Sequence, residues 1–234
     1  MLAGQPVAKV SDSPTGCTPS NQAHDISHGN ANSNNYTFWD TPGLNENEEG
    51  TRPSQVALGN LLNLIGDNGI NLLIYCIRGR LVDIVRINYD LFWGIICRKA
   101  VPIVLVVTGL EQYEDMDDWW RNNGKFFDKM NMSFQGHACI TTTKGRNGMY
   151  MQAYEESAKR AWKLVEEHCR AEPWRMEPNW SVQAEKKTKE YMENYNSGLL
   201  TGMWKVLGFV RTAFSSKRIR RKSSTVCRQL FQTA

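Results

Sequence analysis

The chain has 234 residues, 41% apolar and 22% charged, enough for one core-bearing domain with an extension. That composition excludes global disorder, a collagen-like repeat and a disulfide-stapled miniature domain. The net charge is +4, from 28 basic and 24 acidic residues, but it is unevenly spread. Seven of the basic residues (Arg211, Lys217, Arg218, Arg220, Arg221, Lys222, Arg228) lie in a C-terminal stretch without an acid, which leaves the first 210 residues with 21 basic against 24 acidic. Such a tail suits an anionic surface and says nothing about the chemistry of the body. The six cysteines are scattered singly, with neither C-x-x-C nor paired histidines, so a reducing cytoplasmic compartment is expected rather than disulfides or zinc. No run approaches the roughly 18 apolar residues of a membrane span, and MLAGQPVAKVSDSP lacks the pattern of a signal peptide.

In chain order, a polar loop holding Gly16-Cys17-Thr18 precedes a first candidate strand at 36–39, which ends on Asp40-Thr41-Pro42-Gly43. Residues 54–65 place Val56, Ala57, Leu61, Leu62 and Ile65 at helical spacing. Residues 70–77 (INLLIYCI) and 101–107 (VPIVLVV) are short, nearly continuous apolar runs, the mark of strands buried on both faces. Between them, 83–99 reads as a helix through Val85, Ile87, Leu91, Phe92 and Ile95. Thr108-Gly109-Leu110-Glu111 follows the second run. A helix over 116–130 carries Trp119, Trp120, Phe126 and Phe127, of which Trp119 and Trp120 read as core rather than ligand contacts. A strand over 137–142 runs into Thr141-Thr142-Thr143-Lys144-Gly145, and 151–168 is an amphipathic helix. Beyond residue 173, 185–195 reads as a charged, solvated helix. Residues 199–214 form an apolar-faced helix that ends in the basic cluster 217–222. That helix either docks on the domain or lies on an anionic membrane surface. Strands alternating with helices predict an open α/β sheet, in which ligands sit at the carboxyl ends of the strands.

The residues after those strands form a chemically coherent set. Asp40 at a strand end can hold a hydrated Mg²⁺, which takes hard oxygen ligands. Gly43 lets a backbone N–H approach a terminal phosphate. Thr18 can add a Mg²⁺ ligand from a loop that orders around a γ-phosphate. Glu111 can accept two N–H bonds from one edge of guanine, a pattern adenine does not offer.

On these motifs the sequence resembles the G domain of the septin-like and immunity-associated branch of P-loop GTPases. It is similar above all to fungal G-domain proteins carrying WDTPGLNE, LLIYCIRGR, VPIVLVVTGLE and GHACITTTKG, over residues 1 to about 168. The resemblance implies a three-layer α/β sandwich of the P-loop NTPase type over 1–168, lacking its first strand and phosphate loop. A helical extension with a basic tail would occupy 169–234. It implies GTP or GDP and Mg²⁺ as cofactors, with Thr18 and Asp40 at the metal and Gly43 at the γ-phosphate. Thr108 and Glu111 would form the guanine-specificity motif, and the loop of Thr142, Thr143 and Lys144 would support the base through backbone N–H groups. A homodimer across the nucleotide face is a further implied partner, and no nucleic acid is expected.

Three departures qualify the resemblance. Gly109 stands where most GTPases carry a lysine, and Glu111 is one methylene longer than the usual aspartate. Leu44 stands where small GTPases place a water-orienting glutamine, so hydrolysis is expected to be slow. No G-x-x-x-x-G-K-[ST] occurs in the sequence, and in relatives that motif leads into a stretch resembling Met1-Leu2-Ala3-Gly4. The expectation is therefore a G domain that continues upstream, or one without its phosphate clamp. In the second case the chain would be a nucleotide-free interaction module, or a membrane-surface adaptor working through its C-terminal helix.

Overall fold

The structure, a computed structural model, describes residues 1–4, 22–29, 34–41, 55–79, 83–177, 179–207 and 229–233. Its frame is built by the two apolar runs. They become strands β3 (Leu72–Arg78) and β4 (Ile103–Thr108), paired in parallel, with β5 (Gly136–Cys139) parallel to β4 on the other side. A parallel pair needs a crossover, and the chain supplies helices there: α2 (Asp83–Tyr89) continuing into a π-helical segment at Asp90–Ile96, then α3 (Asp117–Lys129). The remaining elements are β1 (Gln22–His28), β2 (Asn34–Thr41), α1 (Gln55–Asn68), α4 (Met151–His168), α5 (Trp180–Leu207) and β6 (Gln229–Thr233). The strands form one sheet in the order β1-β2-β6-β3-β4-β5.

Both faces of this sheet are buried, which makes three layers. Leu73, Tyr75 and Ile77 of β3 with Ile103, Leu105 and Val107 of β4 face α1, α2, the π-helical segment, α3 and the start of α5. Leu72, Ile74, Val104 and Val106 face α4, whose Trp162, Leu164 and Val165 complete a second core. Trp162 is the hub there: His28 stacks on it at 3.9 Å, and Tyr36 and Phe38 pack against it at 5.3 and 5.7 Å. Two buried polar side chains are tied to backbone. Asn71 donates to the Arg170 carbonyl at 2.7 Å, and the Tyr75 hydroxyl donates to the Val85 carbonyl at 2.6 Å.

Several sequence expectations change in detail. The helix read over 83–99 divides at Asp90, where a wider i→i+5 turn (Cys97 N–H to the Phe92 carbonyl, 2.9 Å) brings Leu91, Phe92, Trp93 and Ile96 all inward. The helix expected at 185–195 and the described part of the one expected at 199–214 belong to one continuous α5, Trp180–Leu207; residues 208–214 lie outside the described residues. The charged residues in the first half of α5 are exposed as expected, but the opposite side is docked. Ala184, Thr188 and Met192, spaced by four residues, are buried, Trp180 donates to the Ile96 carbonyl at 2.9 Å, and Tyr191 donates to Asp90 at 2.8 Å. Strand β1 has a single large apolar residue, Ile26, and is held at the sheet edge by polar cross-strand pairs. Thr37 Oγ1 donates to Asp25, and Ser27 Oγ to Asn35, both at 2.7 Å. Residues 229–233, expected to belong to a basic tail, form β6 inside the sheet, antiparallel to both β2 and β3. The basic cluster 217–222 lies outside the described residues.

Replacing Trp162 with alanine removes the contact shared by β1, β2 and α4, and is expected to cost about 3–5 kcal/mol in urea unfolding. His137 stacks on Trp120 at 3.9 Å, and this burial, opposed by the charge of Asp117, holds its imidazole below the ordinary 6.5. The unfolded chain therefore binds that proton more readily than the folded one, and stability falls as pH drops below about 6.5. A His137→Gln variant should flatten this part of the stability–pH curve.

Candidate functional site

Strand direction assembles the site. Because β2 and β3 are both antiparallel to β6, β2 runs in the same sense as β3, β4 and β5. The carboxyl ends of these four strands therefore point to one edge of the sheet. In an open sheet that edge is where the chain turns away and leaves a crevice. Arg78 and Thr108 end neighbouring strands as register partners, and the Thr108 hydroxyl donates to the Ile77 carbonyl at 3.2 Å.

After β4 the chain turns at Gly109, with φ of +78°, and buries Leu110 beneath the turn. This leaves Glu111 half-buried just beyond the end of β4. After β5, pairing continues through the Ile140 N–H to the Val107 carbonyl (2.8 Å), which carries Thr141 into the interior. There its N–H donates to the Ser157 hydroxyl on α4 at 3.0 Å. The Thr141 hydroxyl accepts from the Thr143 N–H at 3.3 Å and lies 3.5 Å from Glu111 Oε2. Thr143 Oγ1 in turn accepts from the Gly145 N–H at 3.1 Å. A second bridge, Gln112 Nε2 to the Tyr150 hydroxyl at 2.8 Å, joins the same two loops further out.

The sequence candidates fall into three groups. Thr108, Glu111 and the loop of Thr142, Thr143 and Lys144 lie together on the ends of β4 and β5. Within that loop Thr142 and Thr143 are exposed, and the Lys144 ammonium sits 5.2 Å over the Tyr154 ring of α4. Asp40, almost fully buried at the end of β2, is in the row of Leu230, Ile74 and Val104. That row is four residues short of the one holding Arg78 and Thr108, on the order of 13 Å along the strands. Thr18 and Gly43 lie outside the described residues.

Sequence reading assigned no part to Thr141, Ser157 or Arg78. Ser157 carried a signal, since it falls on the apolar stripe of α4 with Ala161, Leu164 and Val165, where a buried hydroxyl must find a partner. Among the described residues, no three His, Cys, Asp or Glu side chains come together to hold a metal ion. Nor, among them, is any helix long and apolar enough to cross a membrane. Comparison with family models, with curated proteins and with solved structures gives no match.

Ser157→Ala leaves the buried Thr141 N–H without its acceptor, and should cost about 1–3 kcal/mol in stability. The local consequence is checked by hydrogen exchange, in which the Thr141 amide should lose protection more than amides in β3.

Proposed function

We propose that this chain is a guanine-nucleotide-binding domain of the P-loop NTPase type, a nucleotide-dependent switch with slow Mg²⁺-dependent GTP hydrolysis. The observation that carries the reading is the pairing of Glu111 with Thr141 at the ends of two adjacent parallel strands. A half-buried carboxylate 3.5 Å from a threonine hydroxyl keeps acceptor capacity for ligand N–H groups, and the N1–H and exocyclic amine of guanine present two on one edge. Thr143 and Gly145 N–H groups are already held by Thr141 and Thr143 side chains, which sets the shape of the loop beside that edge. By the resemblance, Asp40 would act on Mg²⁺ through water, with Thr18 as a second metal ligand and Gly43 at the γ-phosphate.

A second reading, a G-like interaction module that binds no nucleotide, is favoured by one observation. β6 fills the place between β2 and β3 in antiparallel sense, so the strands that carry Asp40 and Arg78 are not neighbours.

Titration with a ribose-labelled fluorescent GTP, competed by GTP or ATP in the presence of Mg²⁺, separates the two. The nucleotide reading expects displacement by GTP and not by ATP. Glu111→Ala should weaken GTP by roughly 10–100-fold, the effect of removing a charged hydrogen-bond acceptor. Equal displacement by ATP, or an unchanged affinity in Glu111→Ala, would overturn the base-recognition assignment.

A further inference from the structure

Gly109 has a second constraint besides its positive φ. A Cβ built on it would lie 2.9 Å from Cγ and 3.1 Å from Nε of Arg78, so the Arg78 stem runs across the Gly109 backbone in the space a side chain would need. Arg78 is the last residue of β3, and its placement is over-determined. It is in register with Thr108, the preceding residue is tied to the Thr108 hydroxyl, and the Gly79 carbonyl accepts from buried Trp119 Nε1 at 3.1 Å. Yet the side chain itself is exposed, and it takes part in none of the ion pairs found among the described residues. A guanidinium on a rigid base, lying over a glycine two residues before the Glu111 carboxylate, is a flat cationic surface beside an edge-reading acceptor.

We infer that Arg78 is a base-binding contact of the site, its guanidinium plane covering the face of the purine ring whose edge Glu111 reads. This rests on the guanine-nucleotide reading above and names a residue that reading did not use. The physical basis is the preference of a planar, weakly hydrated guanidinium for an aromatic face, an attraction that grows as the stack is desolvated. Gly109 permits it, because any side chain there would lift Arg78 off the loop. A face contact does not distinguish among purines, whereas the Glu111 edge contact does, so the two residues make separable contributions.

The separation can be read by measuring GTP and ITP affinities, through displacement of labelled GTP, for the wild type, Arg78→Ala, Arg78→Lys and Glu111→Ala. ITP has the same ring and lacks the exocyclic amine. Arg78→Ala should weaken GTP and ITP alike, by about tenfold, with Arg78→Lys between it and the wild type. Glu111→Ala should instead shrink the difference between GTP and ITP. Since Arg78 is exposed, its variants should melt with the wild type. Wild-type affinity for both nucleotides in Arg78→Ala, or a loss confined to GTP, overturns the face contact while leaving the guanine reading in place. A wild-type chain that does not prefer GTP over ATP overturns both.

Discussion

The fold depends on the requirement that β3 and β4 be covered on both faces. Leu72 through Ile77 present apolar side chains alternately to two sides, and so do Ile103 through Val107, so neither strand has a side that tolerates water. Helices must therefore pack above and below, and parallel pairing requires each crossover to return the chain to the same end of the sheet. Once that is met, the ends of β3, β4 and β5 are adjacent, and every loop that leaves them starts from the same edge.

What stiffens the edge is a set of polar ties from buried positions. Thr141 is enclosed, and its N–H and hydroxyl reach Ser157 on α4 and Glu111 on the neighbouring loop. Trp119 on α3 reaches Gly79 after β3. Helices of both outer layers thus hold the loops by hydrogen bonds that would be costly to leave unmade in the interior. Exposed residues of the edge, among them Arg78, Thr142 and Thr143, rest on this frame without forming it.

The sheet beyond β3 is of a different character. β1 and β2 are an antiparallel pair with serine, threonine, asparagine and aspartate across from one another, and β6 arrives from the far end of the sequence to join that pair to the parallel slab. Only three residues of β3, Leu72 to Ile74, are in register with β6, against five on the side of β2. The two halves of the sheet are instead drawn together below by Trp162, which touches His28, Tyr36 and Phe38 from α4.

Much of this was legible in the residues in order. The apolar runs of β3 and β4, the helical spacing of α4 and the placement of Thr108, Glu111 and Thr142 to Lys144 just after strands are one-dimensional patterns, because burial on two faces or on one stripe imposes a period on the sequence. β1 left no such trace, since an edge strand held by polar pairs needs no apolar period, and β6 has only five residues. The docked face of α5 was hidden among charged residues, with Ala184, Thr188 and Met192 buried on it and Tyr191 beside them. The sequence by itself determined which segments must be buried and which polar residues follow them. Tertiary structure alone decided that Thr141 joins Glu111, that Ser157 holds Thr141, and that Arg78 lies over Gly109. Those contacts join residues 30, 16 and 31 positions apart, and no local period encodes a meeting that only the packing of separate strands and helices brings about.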